Sequence, residues 1–72
     1  MMPKACRDLL ETTLDMARNT PYEELVKANL DRAQGMLNYA LACGDLMPAH
    51  HATELVTIDL IRAQRKNQKG EV

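Results

Sequence analysis

The sequence predicts an all-α protein: a small three-helix bundle, or a helical hairpin with a third helix laid against it, assembling as a dimer. Three observations carry that expectation. Thr20-Pro21-Tyr22-Glu23 at one end and Gly44 at the other bracket a helix of about six turns in a chain of 72 residues. Phe and Trp are absent and the only aromatics are Tyr22 and Tyr39. A core of Leu, Ile, Val, Ala and Met suits helices better than a sheet. Finally, one helix carries apolar residues on nearly every side, more than a monomer of this size covers.

Composition bounds the rest. Apolar residues make up 46% of the chain and charged residues 26%, a globular balance, and the length allows one domain near the lower limit for independent folding. The net charge of −1 gives no overall attraction to nucleic acid or an anionic membrane. Arg7, Asp8 and Glu11 interrupt any signal-peptide core, and no run is long enough for a membrane span. Cys6 and Cys43 are too few for a disulfide framework and are not spaced for zinc. The expected setting is the reducing cytoplasm.

The first helix is expected over about 4–18. Cys6, Leu9, Leu10, Thr13, Leu14, Met16 and Ala17 fall on one half of its wheel, and Arg7, Asp8, Glu11, Asp15 and Arg18 on the other. Asn19 and Thr20 then break it, because a residue before proline avoids helical angles.

The second helix is expected over about 21–43, with Pro21 at the first helical position and Thr20 and Glu23 forming a capping box. Its apolar face is wide: Tyr22, Leu25, Val26, Leu30, Ala33, Met36, Leu37, Ala40, Leu41 and Cys43 cover nearly half the circumference. Glu24, Lys27, Asp31, Gln34 and Asn38 form the wet side. Val26, Ala33 and Ala40 repeat every seven residues, and Ala33 and Ala40 let another backbone come close. Asn29 lies within the apolar face and is read as bonded to a nearby backbone or water.

The third helix is expected over about 48–66, with 67–72 as a frayed tail. Ala52, Val56, Leu60 and Ala63 form one stripe, extended by Leu55, while Ile58 and Ile61 point the other way. The stripe is expected to face the bundle. Leu55, Ile58 and Ile61, with Ala33 and Ala40, are then expected to meet a second copy or another protein.

Chemistry is sparse. His50, His51 and Glu54 form the one cluster worth testing for metal, but adjacent histidines project about 100° apart and cannot easily share an ion. No nucleophile–base pattern, phosphate loop or carboxylate pair stands out, so neither enzyme activity, cofactor nor metal is expected. Cys6 and Cys43 read as buried small hydrophobes. Arg62, Arg65, Lys66 and Lys69 line one face near the C-terminus. The expected function is a cytoplasmic, non-enzymatic regulator or inhibitor that binds protein through a helical surface as a homodimer. The alternative is a nucleic-acid-binding accessory protein using the basic face.

Overall fold

The computed structural model describes residues 2–70, with side chains described as far as Asn67. All regular structure among them is helical: α1 (Lys4–Asn19), α2 (Glu23–Ala42) and α3 (Pro48–Gly70). The centre of the bundle is α2, which packs along both α1 and α3, while α1 and α3 meet far less.

Each join has a local cause. Thr20 is extended ahead of Pro21 (φ −68°, ψ 138°), as a residue preceding proline prefers. The expected capping box is not formed. Thr20 Oγ1 instead accepts from the N–H of Tyr22 at 3.3 Å. Tyr22 stays extended as the N-cap, and the helix begins at Glu23 rather than Pro21. Glu23 and Glu24 place negative charge against the positive end of α2. At the other end Gly44 is left-handed (φ 77°). The Gly44 and Asp45 N–H groups donate to Leu41 and Ala40 carbonyls at 3.1 and 2.9 Å, the Schellman pattern that glycine permits. From Pro48 the third helix runs to Gly70, through residues 67–70 of the expected tail; residues 71–72 lie outside the described residues.

One core is built from Met2, Leu10, Leu14, Ala17, Val26, Leu30, Ala33, Leu37, Ala40, Ile58 and Ile61. Two polar residues share it, each satisfied within its own helix. Thr13 Oγ1 donates to the Leu9 carbonyl and Asn29 Nδ2 to the Leu25 carbonyl, both at 2.8 Å. Asn29 thus bonds to the neighbouring backbone.

The third helix is turned opposite to the expectation. Ile58 and Ile61 are 1% and 2% exposed and belong to the core, whereas Val56 and Leu60 are 56% and 57% exposed. Volume decides this. Fully burying an isoleucine is worth about 1.5–3 kcal/mol, while the alanines that make up half of the opposite stripe offer little area. Leu55, half-buried, packs against the same core. Ala33 and Ala40 are covered by the chain's own helices, at 0% and 6% exposure. Ile58, Ile61, Ala33 and Ala40 are therefore interior residues, and a partner chain cannot reach them without unfolding the bundle.

The expected wet side of α2 is partly covered too. His51 Nε2 lies 2.7 Å from Asn38 Oδ1, and Arg62 Nη2 lies 4.0 Å from Asp31 Oδ1, so α3 lies along that side. Apolar side chains expected inside are left outside: Leu9, Met16, Tyr22 and Leu25 are exposed, as are Cys6 and Cys43.

Candidate binding surfaces

Two residues of the basic C-terminal face, Arg62 and Arg65, are engaged by the fold. Arg62 Nη1 bonds Asp59 Oδ1 at 3.3 Å and its Nη2 approaches Asp31. Arg65 Nη1 donates to the Arg18 carbonyl at 3.1 Å, and Nη2 donates to the Thr20 carbonyl. This guanidinium thus holds the C-terminal part of α3 against the α1–α2 turn. Arg65 is a structural residue, not a free surface cation. Lys66 is exposed, and the Lys69 side chain lies outside the described residues.

The histidine cluster is divided. His50 is exposed, whereas His51 is half-buried and held by Asn38; Glu54 is half-buried on the inner side of α3. No group of three or more metal-ligating side chains occurs among the described residues. Cys6 and Cys43 are both free thiols. Cys43 hydrogen-bonds Tyr39 one turn before it and, with its charge, raises the Tyr39 phenol above its ordinary range. No described helix is long and apolar enough to cross a membrane.

Two apolar surfaces stand outside the core. The first is the outer side of α3. Ala49, Ala52, Val56, Leu60 and Ala63 fall within a narrow arc of the helical wheel, opposite Ile58 and Ile61, and all five are exposed. No charged residue interrupts them; Asp59 and Lys66 lie at one edge of the arc, Thr53 and Gln64 at the other.

The second surface is the third side of α2. With α1 and α3 along two sides, a remaining arc carries Leu25, Ala28, Arg32, Gly35 and Tyr39, all exposed. Near the α1–α2 turn it opens into a shallow depression of about 280 Å³ lined by Met16, Asn19, Thr20, Leu25 and Asn29. Leu9, two turns before Met16, lies on the same face of α1. Neither surface was separated from the core by sequence periodicity, because an exposed leucine and a buried one have the same spacing.

Compared with protein-family models, curated proteins and solved structures, the chain matches none of them.

Proposed function

We propose that this protein is a small non-enzymatic binding protein, a regulator or inhibitor, that works through exposed helical surfaces and pairs with a second copy of itself. The observation behind this reading is the outer stripe of α3, apolar over about four turns on a helix whose opposite side already fills the core. A buried helix needs one apolar face. A second one has no use within the monomer.

The stripe suits self-pairing. Under two-fold symmetry a surface meets its own image, so a charge at its centre would oppose itself. Val56 and Leu60 occupy that centre, and the three alanines let the backbones come close. A single pair of helices this long falls at the small end of protein interfaces, so the dimer is expected to be in rapid exchange with monomer.

Sedimentation equilibrium tests this reading. The wild type is expected to show a monomer–dimer equilibrium within the micromolar range. Val56→Glu combined with Leu60→Glu is expected to be monomeric with unchanged helicity. A wild type that stays monomeric into the millimolar range refutes the self-pairing.

A further inference from the structure

The open side of α2 has a different character. Leu25, Arg32 and Tyr39 are spaced seven residues apart, so they stand nearly in line along the helix, about 10 Å between neighbours. Tyr39 is 72% exposed and Leu25 45% exposed. Arg32 between them makes no ion pair among the described residues. An apolar–cationic–apolar line is poorly suited to its own image, because a two-fold pairing centred on it sets Arg32 against Arg32. It is suited to a helix carrying the complementary order.

Gly35 points the same way. It lies inside α2, where glycine weakens a helix relative to alanine, yet a Cβ placed there meets nothing within 4 Å. No turn, positive φ or internal packing calls for a glycine. It faces the open side one turn beyond Arg32, where a missing side chain lets a second helix lie closer. On α1, Met16 lines the depression beside Leu25, and Leu9 is exposed on the same face of that helix.

We propose that the open side of α2 binds an amphipathic helix of a different protein, with a carboxylate of that helix on Arg32 and its apolar side chains against Leu25 and Tyr39. The inference rests on the reading of the chain as a binding protein, but it uses a surface separate from the α3 stripe. The two are tested apart.

The probe is a displayed library of helical peptides, about 20 residues long, randomised along one face and selected against the wild-type protein and against Arg32→Glu. Circular dichroism establishes that the variant folds. Wild type is expected to enrich peptides with an Asp or Glu flanked about two turns away on each side by apolar residues. Arg32→Glu is expected to bind these peptides at least about tenfold more weakly, and to recover when the peptide acid is changed to Lys. Failure to enrich any sequence overturns the proposal, as does enrichment of peptides indifferent to the charge at position 32. So does loss of peptide binding in the Val56→Glu, Leu60→Glu variant with no loss in Arg32→Glu, which places the site on α3. A monomeric wild type that still selects acidic peptides through Arg32 removes the dimer and keeps this inference.

Discussion

Arg65 of α3 donates to the main-chain carbonyl of Thr20, in the turn between α1 and α2. With its second bond, to the Arg18 carbonyl at 3.1 Å, it ties the chain's third helix to the end of its first. The link matters because α1 and α3 otherwise touch little. Backbone carbonyls at a helix end lack intrahelical donors, and a planar guanidinium can serve two of them at once.

Arg65→Ala is therefore expected to destabilise the protein by about 1–2 kcal/mol, allowing for partial exposure of the site. Lys66→Ala, one residue on, is expected to stay within about 0.5 kcal/mol of wild type. Urea midpoints for the two variants check this. Equal effects would mean that Arg65 acts only as a surface charge.

Gly35→Ala is expected to stabilise the isolated protein by about 0.5–1 kcal/mol, since α2 has helical geometry there and space for the added methyl. Thermal unfolding reads the change directly. Destabilisation would contradict the open surroundings of Gly35.

The two sides of α3 are expected to differ sharply on truncation. Ile58→Ala removes a side chain that is 1% exposed, at a cost of about 2–5 kcal/mol, enough to unfold a domain this small. Leu60→Ala, at a position 57% exposed, is expected to cost about 0.5 kcal/mol or less when measured on the monomer. Denaturant unfolding of the pair at low protein concentration decides between them.

Tyr39 is expected to ionise at higher pH than an ordinary phenol, because its hydrogen bond to Cys43 and the nearby Cys43 charge both favour the neutral form. Removing that partner has a defined sign. Cys43→Ala is expected to lower the Tyr39 pKa towards the ordinary range. Ultraviolet titration in a Tyr22→Phe background, which leaves Tyr39 as the sole tyrosine, measures the shift.

The division of the chain into three helices was legible from its punctuation. Gly44 stops α2 by the left-handed turn expected of it, and Pro21 marks the break after α1. Leu10, Leu14, Leu30 and Leu37 were recognisable as core from spacing alone. The orientation of α3 was not. Its wheel offers two apolar faces, and choosing between them depends on the volume that Leu30 and Leu37 leave to be filled, which no local pattern records. The same limit hid the open side of α2. By periodicity Asp31 and Asn38 belong to the wet side, yet α3 brings Arg62 and His51 to them; Leu25 belongs to the apolar face, yet it stays exposed. In the sequence Arg65 is one cation in a row, because its carbonyl partners lie more than forty residues away. Cys6 and Cys43 stand at the margins of wide apolar faces, where periodicity separates inside from outside least well.

With Ile58 turned inward, α3 leaves Val56 and Leu60 exposed for the proposed pairing with a second copy. Single cysteines placed in a Cys6→Ser, Cys43→Ser background test this arrangement most directly. Under mild oxidation, Leu60→Cys is expected to form a disulfide-linked dimer and to react quickly with a thiol reagent before oxidation. Ile58→Cys is expected to remain monomeric and to react slowly until denaturant is added. Rapid labelling and cross-linking of Ile58→Cys, with Leu60→Cys protected and monomeric, would contradict it.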